Sequence, residues 1–274
     1  MKSIFERLHR PYRFRHDRIV VPGRNARLNI DFARAPEAVL SRADRRLTGA
    51  LAWLEPQIDV STSVLPCASR THRHTGDERF RFWEQKADHY RKTVRDPALR
   101  VVLPKYDPDQ TEYAGLPDVM DVRPYVAVEL LMIDALYADN CPKPDIVPRL
   151  QSFDDEGYYG TTHIVAGGLL LLDNGGAPAG EVHAMMEATI PSIVLRNRTT
   201  SRADDIFAER CMVLQWMGRH GLVEPAWIMR SLDDQLHDGG WGAPNMPPVN
   251  ESDHRTVAVA TAALAEFATH YRVC

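Results

Sequence analysis

Apolar positions along this chain recur at helical spacing and almost nowhere alternate. Val39, Ala43, Leu47 and Leu51 follow Pro36 at intervals of four, and Pro56 closes the segment, which predicts a first helix over 36–56. Asp77 to Val94, with Phe80, Trp83 and Tyr90 among many charges, predicts a second, closed by Asp96-Pro97. Val122, Val126, Leu130, Ile133 and Leu136 line one side of a helix over 121–138, which Asn140, Pro142 and Pro144 stop. A short helix is expected around Ile146 to Phe153 and an apolar one over 162–172. Further helices are expected over 180–195, over 202–219 (capped by Ser201, stopped at Gly221), from Pro225 to about Leu236, and from Asp253 to Tyr271. Residues 57–76, with Pro66, His72 and His74, read as a loop. No segment reads as a paired strand. Helix, short turn, helix is the pattern of antiparallel helical hairpins, so the expected fold class is all-α.

Two details refine this picture. Gly167 and Gly168 lie inside the apolar helix, where each costs about 1 kcal/mol relative to alanine, so a close helix contact is expected to compensate. Residues 98–117, with Pro104, Pro108, Gly115 and Pro117, read as a connector. They divide an N-terminal extension, 1–117, from a helical body, 118–274, either as two units or as parts of one continuous domain. The first 35 residues form an irregular arm rich in arginine, including Arg7, Arg10, Arg13, Arg15 and Arg18. Phe5, Tyr12, Phe14 and Ile19 suit it to pack on the body; its charge suits it to an anion or a partner.

One stretch carries a motif. Gln235-x-x-Asp238-Gly239-Gly240-Trp241-Gly242 is followed by a helix rich in Ala, Val and Thr, with Val257, Ala260, Leu264, Phe267 and Tyr271 at helical spacing. It resembles the Q-x-x-D-G-G-W-G repeat of the terpenoid-cyclase and protein-prenyltransferase superfamily. A less complete copy reads Asp154 to Leu172, in which an acid, a Gly and aromatic turn, a Thr and a small-residue helix follow in the same order. The resemblance covers roughly the C-terminal 160 residues and implies an α/α toroid, a double ring of helices around a central pocket. That superfamily includes cyclases, transferases and non-enzymatic domains, so activity does not follow from fold.

Composition narrows the classes. The chain has 274 residues and a formal net charge of −4, with a pI of about 6.3, a balance that does not ask for nucleic acid. Cys67, Cys141, Cys211 and Cys274 form no C-x-x-C pair, so neither a zinc ribbon nor a disulfide framework is expected. No run approaches the roughly 20 apolar residues of a membrane span, and the N-terminus does not read as a signal peptide, so a cytoplasmic location is expected.

The candidate chemistry sits at helix starts. Asp205 and Glu209 are four residues apart and share a helix face that continues to Met212 and Trp216. Buried together, one would be raised in pKa to act as an acid while the other stays ionised; as plain first-turn acids they would answer the helix dipole instead. His163 and His254 each precede a small-residue helix and are the natural general bases, or else turn anchors. Tyr159, Trp216 and Trp241 are candidate substrate-binding aromatics, Trp241 doubling as a packing wedge and Asp238 as a turn anchor. Asp204-Asp205 lacks the third acid of an aspartate-rich diphosphate box, since Ala208 stands there, and Ser231 breaks an Asp-x-Asp-Asp acid at Asp233-Asp234. Asp205 and Cys211 precede His254 in the order, though not the spacing, of the prenyltransferase zinc ligands, so the resemblance implies a site of Asp205, Cys211 or His163, and His254 that would suit zinc. His72 and His74 are a weaker metal pair. Two functions fit: an enzyme acting on a small, largely apolar prenyl-, acyl- or terpenoid-type substrate by acid–base or metal-assisted chemistry, and a non-catalytic scaffold binding a peptide, lipid or protein. They differ in whether His163, Asp205, Glu209 and His254 meet in one place. Neither the substrate nor the oligomeric state is encoded in these motifs.

Overall fold

The computed structural model describes residues 32–57, 64–83, 85, 131–132, 134–135, 138, 143–154, 159–200, 203–242 and 252–273. The arginine-rich arm up to residue 31, the second half of the 77–94 helix, the connector with its 117/118 boundary and most of the 121–138 helix lie outside these residues. Among the described residues the fold is all-α. No strand occurs; one isolated antiparallel bridge joins Gly242 to Ser252. No described helix is long and apolar enough to cross a membrane.

The helices are α1 (Pro36–Leu54), α2 (Val64–Thr75), α3 (Ile146–Gln151), α4 (Gly160–Asn174), α5 (Ala179–Thr199), α6 (Asp205–Trp216), α7 (Pro225–Asp234) and α8 (His254–Val273). Short 3₁₀ turns follow α1, α2 and α6. The main difference from expectation is α2, which occupies most of the supposed loop. Among its described side chains the buried ones are Ala68, Ser69, Arg70 and Thr71, which are small or polar, so hydrophobic periodicity does not betray it. The Thr71 and Thr75 hydroxyls bond back to the carbonyls of Cys67 and Thr71, each at 2.7 Å, which keeps these hydroxyls satisfied without leaving the helix. A smaller difference is the start of α6. Asp204, not Ser201, is the N-cap, its carboxylate accepting from the Phe207 N–H at 2.9 Å.

α8 is the hub. It packs on α6, α2 and α1. Helices from both sides of the supposed domain boundary therefore share one hydrophobic core. α4 and α5, joined by a short turn, pack as a hairpin. Gly168 lets them close: a Cβ there would stand 2.7 Å from Met186 of α5, the compensating contact that a mid-helix glycine implies.

Four helices run in one direction. At their starts, Tyr159 beside α4 reaches Asp205 of α6, Glu209 of α6 reaches Arg255 of α8 at 3.4 Å, and the charges of both act on Cys67 of α2. At their far ends, His74 of α2 lies 3.5 Å from Glu266 of α8. There Arg70 of α2 pairs with Asp173 of α4 and stacks over Trp216 of α6. Start meets start and end meets end, so α2, α4, α6 and α8 are mutually parallel.

The Gln235–Gly242 motif is the socket for α1. Gly240 N–H and Ser252 Oγ donate to Asp238 at 3.0 and 2.8 Å, closing an Asx-type turn. Gln235 donates to the Arg46 carbonyl of α1 at 3.0 Å. Arg42 of α1 donates to the Leu232 carbonyl at 3.0 Å and to Asp233 at 2.6 Å. Gly239 has φ +95°, and a Cβ on it would sit 2.8 Å from the Gly49 carbonyl oxygen of α1. Gly239→Ala combines backbone strain with a clash against main chain, so we expect a loss of about 2 kcal/mol or more in chemical denaturation.

Candidate functional site

The site begins with three helix starts. Asp204 caps α6 as described, and Asp253 caps α8, its carboxylate accepting from the N–H groups of Arg255 and Thr256 at 3.1 and 3.0 Å. These caps fix the first turns that carry Asp205, Glu209 and Arg255. Tyr159 stands at the N-cap position of α4, with His163 one turn on.

The side chains converge. The Tyr159 hydroxyl donates to Asp205 Oδ2, and the other carboxylate oxygen takes the Ile206 N–H at 2.9 Å. Arg255 lies over the Tyr159 ring, 4.4 Å from its centroid. One Arg255 nitrogen reaches Glu209 Oε2 at 3.4 Å and His163 Nε2 at 3.3 Å. His163 Nε2 is 3.9 Å from Glu209 Oε1. Tyr159, His163, Asp205 and Glu209 are all buried, and the Arg255 side chain, 29% exposed, is the group open to water.

Two protonation features follow. Burial raises the pKa of Asp205 above its ordinary 3.8, the Glu209 charge adding to the rise; Arg255 and the Tyr159 hydrogen bond oppose it. Burial likewise pushes the Tyr159 hydroxyl well above its usual range. His163 is assigned by its neighbour: guanidinium only donates, so Nε2 accepts and the imidazole proton sits on Nδ1. Nδ1 is buried and has no hydrogen-bond partner among the described residues. A carboxyl whose pKa burial raises thus stands near an imidazole whose Nε2 faces a guanidinium.

Of the expected site residues, Tyr159, His163, Asp205 and Glu209 come together. His254 begins α8, but its side chain lies outside the described residues. Cys211 is elsewhere: six residues past Asp205 it faces α5, where Asn197 Nδ2 donates to its sulfur at 3.3 Å and burial pushes its thiol to about 12. Asp205 and Cys211 therefore do not fit one zinc ion. Among the described residues no group of three His, Cys, Asp or Glu side chains is arranged to hold a metal. His72 and His74 sit on a helix, two residues apart and so on different faces. Trp216 is at the far end of α6, under Arg70. Trp241 is buried in the motif hairpin and donates its indole N–H to the Ser231 carbonyl at 2.7 Å.

Sequence reasoning passed over Arg255 and Cys67. Arg255 follows His254 directly, and a lone arginine at a helix start carries no signal until its neighbours are known. Burial holds the half-buried Cys67 thiol at about 12, with the Glu209 charge adding to it. No family model, curated protein or solved structure matches this chain.

Two measurements check this geometry. A carboxyl with a raised folded pKa contributes stability that is present below the unfolded value, near 3.8, and is lost as pH rises through the folded value. Asp205→Asn cannot ionise, so its stability relative to wild type should improve from pH 3.5 to pH 7 in urea titrations; an unchanging difference would remove the buried-acid assignment. Arg255→Met strips the cation from buried Glu209 and should cost about 3 kcal/mol near neutral pH. Glu209→Gln in the same background should restore a substantial part of that loss.

Proposed function

We propose that this chain is an α/α-toroid-like protein, akin to terpenoid cyclases and protein prenyltransferases, and an enzyme. It would act by acid–base chemistry on a small, largely apolar prenyl-, acyl- or terpenoid-type substrate. The observation that carries the reading is the meeting of Tyr159, His163, Asp205, Glu209 and Arg255 at the aligned starts of α4, α6 and α8. A toroid has parallel inner helices whose starts face its pocket from one end, and the shared direction of α2, α4, α6 and α8 supports that arrangement. Asp205, whose pKa burial raises, is the acid. His163 is the base, once a bound substrate draws Arg255 off its Nε2. Tyr159 holds Asp205 in place, and Arg255 offers a positive charge to the negative charge that a deprotonated substrate or leaving group develops. The apolar preference rests on the family resemblance and on the apolar face that runs from this cluster along α6 through Met212.

The test is a panel of prenyl diphosphates and acyl thioesters, followed by thermal shift for binding and by mass spectrometry for product. We expect at least one compound to raise the melting temperature and to be converted. His163→Gln should keep the shift and lose about 100-fold or more in turnover. Binding without conversion in the wild type would favour the scaffold reading, and no shift across the panel would remove the substrate class. Stoichiometric zinc in purified protein, lost in His254→Ala, would replace this mechanism with a metal-assisted one.

A further inference from the structure

α5 has an apolar side that the core does not use. Val182, Met186, Ile193 and Asn197 form its buried side, and the helix packs on α4 and α6. The opposite side carries Ala184, Ala188, Pro191 and Leu195, all exposed. Leu195 is 63% exposed, the most of any large apolar side chain among the described residues. Leu222, at 38%, flanks this side. Arg219 pairs with Glu187 at 2.5 Å and Arg198 with Glu224 at 2.7 Å, so residues 219–224 run alongside α5 with Leu222 between the two ion pairs. Apolar surface rimmed by charge is the usual make-up of a protein contact. Pro191 points the same way. A proline inside a helix removes a backbone hydrogen bond, and at this exposed position no core packing offsets the loss.

This side of α5 is complementary to itself. Turn a second copy end for end about a two-fold axis that crosses α5 between Thr189 and Ile190. Leu195 then stands over Ala184 of the copy, Pro191 over Ala188, and Arg198 opposite Glu181. One register satisfies all three pairs, because each pair has the same midpoint along the helix. At 3.6 residues per turn, the six positions lie within about 50° of one line along the helix surface. Large side chains thus meet small ones, and the basic end of α5 meets the acidic start of its copy. Arg198 can serve two carboxylates: Glu224 takes its Nε, and the side chain stays 61% exposed. Glu181 is exposed as well. The 21 residues of α5 make a strip about 31 Å long and about 10 Å wide, or about 300 Å² on each copy. Stable pairs bury about 800 Å² per partner, so this contact is a weak one that depends on concentration.

We propose that the outer side of α5 is the contact face of a symmetric dimer of this chain, in which the two α5 helices lie antiparallel. Leu195 seats over Ala184 of the second copy, and Arg198 answers its Glu181. The contact is isologous, so each of these interactions occurs twice and the assembly closes at two copies. None of the six residues belongs to the Tyr159–Arg255 cluster, so the dimer stands or falls independently of the chemistry proposed there.

The experiment is sedimentation equilibrium of the full chain from about 5 to about 500 µM, the range in which a small contact of this kind is populated. The weight-average mass should rise from the chain mass of 31.0 kDa toward twice that value. Leu195→Glu should hold it at the chain mass throughout, and its melting temperature at the lowest concentration should stay within about 2 °C of wild type, because the side chain is exposed. Glu181→Arg should raise the dimer Kd about ten-fold, and adding Arg198→Glu should recover most of that loss. A single-chain mass at every concentration in the wild type overturns the dimer and leaves this face to another protein or to a segment of the chain outside the described residues. A dimer that Leu195→Glu leaves intact uses another face and overturns the proposal too. Failure of the charge-swapped pair to recover overturns the antiparallel register.

Discussion

Everything in this protein leans on the complete burial of α8. From Thr256 to Ala268 every residue is buried, so the helix must have neighbours on all sides. Its side chains are mostly Ala, Val and Thr, which let those neighbours approach closely. α6 and α2 take two flanks and α1 a third. Small residues also carry little lateral specificity, and the register is set where α8 ends. At the start, Asp253 caps the helix and Arg255 engages Glu209 and His163. At the end, Phe267 and Tyr271 pack on Phe32, with ring centroids 5.6 and 5.3 Å away. The Gln235–Trp241 turn then seats α1 against the same bundle. In this fold the motif works as an assembly device rather than as chemistry.

Parallel alignment of four helices has an electrostatic consequence. Their starts present unpaired N–H groups and partial positive charge in one region, and their ends present carbonyls in another. The ionisable residues follow that polarity. Asp205 and Glu209 lie at the starts. Arg70, His74, His220 and His270 lie at or just beyond the ends. Arg255, Asp173 and Glu266 depart from it: Arg255 as counter-charge to two buried acids, Asp173 as the partner of Arg70, Glu266 as an acid whose pKa burial raises to about 7. One helix direction thus produces an acid cluster and a histidine cluster at opposite poles of a single core.

Much of this was legible in the sequence, and the failures have physical causes. Periodic Val, Leu and Ala placed α1 and α8 to within about two residues, because a large apolar stripe and a Pro or Asp at the start mark a helix twice over. The Asp205–Glu209 pairing followed from a spacing of four, and the partnership of His163 with it followed from the place of each at a helix start. α2 was hidden because its described buried side chains are small or polar, so hydrophobic periodicity is silent there. Asp205 and Cys211 do not face one point, for a geometric reason. Six residues of helix turn Cys211 well away from Asp205, onto the face that meets Asn197, and order along the chain carries no such angle. Arg255 went unread because its role depends on Tyr159 and Glu209, which lie 96 and 46 residues away and meet it only through tertiary packing.

The composition of the acid cluster bears on why it exists. Buried ion pairs rarely stabilise a fold better than well-packed apolar groups of the same size. Here two carboxyls share one arginine that is itself part-exposed, and an imidazole N–H is buried with no partner among the described residues. A network built for stability would be balanced in charge and closed in hydrogen bonds. Among the described residues this one leaves His163 Nδ1 without a partner, and burial raises the pKa of Asp205 against the pull of Arg255. Stability therefore gives a poor account of this arrangement.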